Sequence, residues 1–156
     1  MGYIQSYMTD PQQADEFTKS VYVSRDLRLA HPLFLAIWPK LKEAYGLETG
    51  MELNISCTYR SLKAQNDLFN KGRTTPPIGK EFVVTHNDGY NSISRHNVFP
   101  SEAIDVFPCY AGKPVWNESA YIPLGKISKD LGLYWGGYGL GPNKKFIDRP
   151  HLEIVT

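Results

Sequence analysis

The twelve residues Ser94-Arg-His-Asn-Val-Phe-Pro-Ser-Glu-Ala-Ile-Asp105 decide how the chain is read. They pass from a polar loop holding His96 into an apolar run, Ala103 to Phe107, with Asp105 at its middle. An ionised carboxylate among apolar residues is costly unless it is paired, so Asp105 calls for a cationic partner. A second stretch near the end of the chain, Asp148-Arg-Pro-His-Leu-Glu153, offers one. There His151 opens a strand-like pattern, with Asp148 and Glu153 on either side. His96, Asp105 and His151 are two imidazoles and one carboxylate, a ligand set typical of catalytic zinc, which keeps a fourth position for water. The competing reading is a structural hydrogen bond between a histidine and an aspartate. Helical His-Glu-x-x-His spacing is absent, which excludes that class of zinc peptidase.

Working outward, 156 residues predict one domain, spanning residues 1–156 with no second module. Domains of about this size bury roughly 68–70% of the surface exposed by the unfolded chain. Seventeen Lys and Arg against sixteen Asp and Glu give a formal charge of +1 and no electrostatic reason to expect a nucleic-acid partner. Cys57 and Cys109 are too few for a disulfide framework and are expected to be free thiols. The first ten residues lack a basic and then apolar signal pattern, and no run reaches the roughly 20 apolar residues of a membrane span, so no membrane insertion is expected.

The local pattern places the motifs. Asp10-Pro11 predicts a helix start and a short helix to about Ser20, with Val21 to Val23 a short strand or connector. Leu33, Ile37, Leu41 and Tyr45 recur at helical spacing, predicting a helix over 29–45 with His31-Pro32 at its start and Gly46 at its C-cap. His31 is a ligand candidate by residue type only; a surface or capping role is the plainer reading. Met51 to Cys57 alternates as a half-buried strand. Ser61 caps a helix that ends before Gly72, residues 72–80 form a loop, and Phe82 to Thr85 reads as a short strand. Ala103 to Phe107 is a strand ended by Pro108, Cys109 to Asn117 is loop, and Ala120 to Leu131 is one helix with Ile122, Ile127 and Leu131 inward, capped by Gly132. Leu133 to Trp135 and His151 to Val155 complete the strands. Gly136 to Gly141 lacks phosphate-loop spacing and reads as a cleft wall.

Several ordered motifs carry a resemblance. Tyr59-Arg60-Ser61 is followed by Gln65, Leu68 and Gly72-Arg-Thr74. Then come Ser94-x-His96-Asn97, Ala103-x-Asp105, Leu131-Gly-Leu, Trp135-Gly-Gly137, Phe146-x-Asp148 and Pro150-His151-Leu-Glu153. Over about Ser24 to Ile154 the chain resembles the VanY-type zinc peptidases of peptidoglycan, which include D-alanyl-D-alanine carboxypeptidases and L-alanyl-D-glutamate endopeptidases, and within them the phage endolysins. Eight residues separate His96 from Asp105, two more than the family's usual spacing, as in a subset of phage enzymes.

The resemblance implies an α+β fold, a small, mostly antiparallel sheet flanked by helices, of the hedgehog and D,D-peptidase kind. It implies Zn2+ held by His96, Asp105 and His151, with Asp148 as general base for the attacking water and Arg60 stabilising the oxyanion. Glu153 competes with Asp148 for the base and is otherwise a supporting partner. Ser94, Gln65 and Trp135 are candidates for substrate contact or support. His86 reads as a solvated loop residue within reach of substrate, and Trp116, Tyr134, Trp135 and Tyr138 read most simply as core or cleft wall, with one or two of them in reach of the stem peptide. The expected activity is cleavage of the L-alanyl-D-glutamate bond of the stem peptide by a monomer. Such an enzyme would accumulate in the bacterial cytoplasm and reach the wall through a holin-type pore. The alternatives are a D,D- or L,D-carboxypeptidase, and a non-catalytic zinc domain that binds wall peptide.

Overall fold

The structure, a computed structural model, describes residues 7–19, 21–73 and 83–155. Its elements run α1 (Pro11–Phe17), α2 (Pro32–Thr49), β1 (Glu52–Cys57), α3 (Leu62–Asn70), β2 (Ala103–Tyr110), β3 (Lys113–Pro114), α4 (Glu118–Tyr121), α5 (Pro123–Asp130), β4 (Leu133–Trp135) and β5 (His151–Ile154). The sheet order is β1-β2-β5-β4, with β3 added beside β2, and every pairing is antiparallel. This is the expected α+β architecture.

Strand alternation divides the sheet into two faces. Leu53, Ile104, Val106, Leu152 and Ile154 turn to one side and pack with Phe34, Ile37, Leu41 and Tyr45 of α2 and Leu124 of α5. Asp105 and His151 are direct partners across β2 and β5, as are Ala103 and Glu153, so Asp105, His151 and Glu153 share the opposite face. A register shift between Ile55 and Cys57 sets Cys57 opposite Asp105 as well.

The helix starts follow their caps. Asp10 accepts from Gln12 N, Ser61 accepts from Ala64 N, and His31 Nδ1 accepts from Leu33 N at 3.1 Å. His31 is therefore a capping residue. Helix α2 continues through Gly46 to Thr49, four residues past the expected stop. The left-handed residue that ends it is Gly50, at φ 71°, a conformation that costs glycine little.

Other boundaries move for identifiable reasons. Strand β2 runs through Pro108 to Tyr110: Pro108 keeps its register opposite Leu53 of β1, and its carbonyl accepts from Val115 N, so the strand continues without a Pro108 amide. The expected 109–117 loop holds a hairpin, turned at Ala111-Gly112 with φ of 50° and 78°. The expected single helix over 120–131 is two, because Pro123 starts α5 and Ile122, predicted inward, is exposed. Val83 to Thr85 form no strand, and Val83 and Val84 are exposed. Phe82 and the 74–80 part of the expected loop lie outside the described residues. Among the described residues, no helix is long and apolar enough to cross a membrane.

Candidate metal centre and cleft

Both histidines are placed by the backbone around them. His96 lies in the loop before β2 and is 2% exposed. Its Nδ1 lies 2.7 Å from the Thr58 carbonyl, so in the neutral ring Nδ1 carries the proton and donates it there. That leaves the Nε2 lone pair facing Asp105 Oδ1 at 3.3 Å. His151, at the start of β5, is turned the other way round. Its Nε2 lies 2.8 Å from Glu153 Oε2, and its Nδ1 lies 3.5 Å from the same Asp105 Oδ1. The rings meet edge-on with centroids 5.3 Å apart.

His96 Nε2 and Asp105 Oδ1 are fully buried and have no hydrogen-bond partner among the described residues. Two buried acceptors facing each other at 3.3 Å require something positive between them. Burial opposes charge on the His96 ring, but the Asp105 carboxylate outweighs it and raises the pKa to about 10. Asp105 itself is held well below the usual carboxylate range: burial raises it, but His96, His151 and Arg60 together lower it further. A divalent cation would satisfy the same atoms. With metal–ligand distances of about 2.0–2.2 Å, neighbouring ligand atoms of a tetrahedral site stand roughly 3.3–3.5 Å apart. The spacings of Asp105 Oδ1 from the two histidine nitrogens match this. Two imidazoles and one carboxylate are donor types that zinc takes.

Ligand atoms lying within 4.8 Å of one another form two triplets among the described residues, Cys57–His96–Asp105 and Asp105–Asp148–His151. Asp105 belongs to both, but His96 and His151 fall in different triplets, so the three predicted ligands each stand close to Asp105 without meeting as one group within that distance. Cys57 was not foreseen as part of this cluster; nothing in its spacing marks it. Its Sγ lies 3.7 Å from His96 Nδ1, the nitrogen already engaged by Thr58 and turned away from Asp105. Burial raises the thiol's pKa, but His96 and Arg60 more than reverse this and hold it below its usual value.

Around this core the remaining candidates divide by what they touch. Arg60 Nη2 donates to Asp105 Oδ2 at 3.1 Å and Nη1 donates to Gln65 Oε1 at 3.0 Å. Gln65, fully buried, also donates through Nε2 to the Asn87 carbonyl at 2.8 Å, tying α3 to the loop that walls the cleft. Asp148 sits in a tight turn: its amide donates to the Gly136 carbonyl at 2.9 Å. A Cβ at Gly136 would come within 2.3 Å of the Asp148 carbonyl oxygen, so glycine is required there. Burial and then the Asp105 charge raise the Asp148 pKa. In Glu153, burial raises the pKa but the His151 hydrogen bond and charge, with Arg95, lower it.

Ser94 is buried; its amide donates to Asn97 Oδ1, and its hydroxyl accepts from His96 N, which shapes the His96 loop. Trp135 is a core residue whose Nε1 donates to the Arg149 carbonyl at 2.6 Å, steadying the Asp148 turn from behind. His86 packs edge-on against Phe146 across the cleft, with centroids 5.2 Å apart. Tyr134 and Tyr138 lie on the β4 side, and Trp116 lies beyond β3. Between His96 and Asp105, Phe99 packs with Ala14 and Tyr59 in a side cluster. The resulting cleft, about 760 Å³, is lined by Arg60, His96, Asp105, Asp148, His151 and Glu153 among others.

No family model matches the chain. It is 28% identical over 160 residues to the peptidoglycan L-alanyl-D-glutamate endopeptidase CwlK of Bacillus subtilis, covering 96% of this chain and 86% of that protein. Its fold is similar to the L-Ala D-Glu endopeptidase ChiX of Serratia marcescens, with a TM-score of 0.54, 20% identity, and coverage of 86% of this chain and 89% of that one. The LD-carboxypeptidase LdcB is similar in fold too, with a TM-score of 0.54, 22% identity, and coverage of 81% of this chain and 65% of that one.

Proposed function

We propose that the chain, similar to CwlK in sequence and to ChiX in fold, is a VanY-type zinc-dependent endopeptidase that hydrolyses the L-alanyl-D-glutamate bond of the stem peptide. The observation that carries this reading is the shared oxygen: Asp105 Oδ1 stands 3.3 Å from His96 Nε2 and 3.5 Å from His151 Nδ1, with Asp148 beside it in an open cleft. The resemblance to phage enzymes supports a role in host lysis.

His96, Asp105 and His151 would hold the metal. Zinc, when bound, polarises a carbonyl and lets water act as a nucleophile near neutral pH. The chain supplies the rest. Asp148, its pKa raised by burial and then by the Asp105 charge, takes the proton of the attacking water and returns it to the leaving amine as the C–N bond breaks. Arg60, held in place by Gln65 and Asp105, donates to the charge that grows on the carbonyl oxygen. Glu153 fixes His151 in the orientation that presents Nδ1.

The test is digestion of purified sacculi with and without a chelator, followed by mass spectrometry of the products. New D-glutamyl amino termini that vanish with chelator are expected. Release of a terminal D-alanine instead would select the carboxypeptidase reading, and zinc binding without any cleavage would select the non-catalytic one.

A further inference from the structure

The open face of the sheet continues beyond the cleft. Phe107 follows Asp105 by one two-residue step of β2, roughly 6–7 Å, on the same face. Its direct partner on β1 is Asn54, and Ser56, one step back along β1, lines the cleft. Past the β2–β3 hairpin the chain runs on beside β2, on the edge away from β1. Val115 N donates to the Pro108 carbonyl at 2.8 Å, and the next residue, Trp116, stacks on Phe107 with centroids 5.7 Å apart and ring planes 24° from parallel. One side of the indole is covered by Phe107, yet Trp116 is 68% exposed. A large ring, held flat from behind and open in front, is a surface made for a flat apolar ligand face.

We propose that Phe107 and Trp116 form a saccharide platform on which a sugar of the glycan strand stacks while its attached stem peptide lies in the cleft. The inference rests on the peptidoglycan reading above. In that substrate the L-alanine amine is joined through a short lactyl link to a sugar, so the sugar lies about one residue and one linker, roughly 7–10 Å, from the scissile carbonyl. The indole lies at a comparable reach from Asp105, one strand step and one stacked ring away. A pyranose ring presents axial C–H groups on its face and hydroxyls at its rim. The indole takes the face by dispersion.

The test compares Trp116→Ala with the wild type on two substrates, soluble glycan strands bearing stem peptides and the same stem peptide without sugar. On the glycan-linked substrate kcat/KM should fall about tenfold, the loss expected when roughly 60 Å² of apolar ring area is no longer covered. The sugar-free peptide should be cut as before, and Trp116→Phe should recover part of the loss. Equal losses on both substrates, or none on either, overturn the proposal. Peptide-free glycan strands, titrated by tryptophan fluorescence, test the platform without turnover. Wild type should bind them, and Trp116→Ala should bind about tenfold more weakly. No binding by wild type overturns the platform even if sacculi are cut. Trp116-dependent binding with no peptide cleavage leaves the platform standing and sinks the peptidase reading. If Trp116→Ala instead turns a dimer into a monomer in sedimentation, the face is a self-association surface and the proposal fails.

Discussion

The two faces of β2 and β5 carry different sequences on the same few residues. On one, Ile104, Val106, Leu152 and Ile154 close against α2 and α5 with no polar atom to satisfy. On the other, Asp105, His151 and Glu153 crowd charges whose pKa values are all displaced. Neighbouring residues on a strand point opposite ways, so the apolar face can anchor the strands rigidly while the polar face holds an arrangement that is costly by itself. The difference teaches that the chemistry here depends on the core directly behind it: one step along the chain separates Asp105 from Ile104 and Val106.

Substitutions on each face sharpen this division. The largest effect is expected at Asp148. Asp148→Asn should lower turnover of sacculi by about 10²–10⁴-fold while zinc content, measured by elemental analysis, stays at the wild-type level. On the other face, Leu152→Ala should cost about 2–5 kcal/mol of stability, read from denaturant unfolding, with activity on the remaining folded protein largely kept. If Leu152→Ala abolished activity without loss of stability, the division of labour would be wrong. Glu153→Gln should weaken zinc binding by about 10–100-fold in a competition titration, because His151 would lose the partner that orients it.

The smallest effect concerns pH. The His96 pKa is raised, so in metal-free protein the stability it contributes is present below pH 6.5 and is lost as pH rises through about 10. A metal takes the proton's place and binds better as the proton leaves. The rise in melting temperature on adding zinc should therefore grow between pH 6.5 and 9. A rise that shrinks over that range would contradict the assignment.

Much of this was legible in the chain. The strands of the sheet follow from alternation and from flanking Gly and Pro, and His96, Asp105 and His151 follow from residue type and motif order. The failures have local causes. Gly46 looked like a C-cap because it follows the last periodic residue, but a glycine inside a helix costs only about 1 kcal/mol, which packing offsets. Pro108 looked like a strand end because it has no amide to donate, yet its carbonyl still accepts from Val115 N and holds the strand in register. Ile122 looked inward because the break at Pro123 shifts its phase. Cys57 escaped notice because only the register shift in β1 brings it opposite Asp105. The role of Gln65 in holding Arg60 is likewise set by the approach of α3 to the sheet rather than by any spacing.

The most direct test of the account is X-ray absorption spectroscopy of the protein loaded with one equivalent of zinc. His96, Asp105 and His151 as ligands predict a first shell of nitrogen and oxygen alone at about 2.0–2.1 Å, with imidazole outer-shell scattering. A sulfur scatterer at about 2.3 Å would place Cys57 on the metal and contradict the assignment.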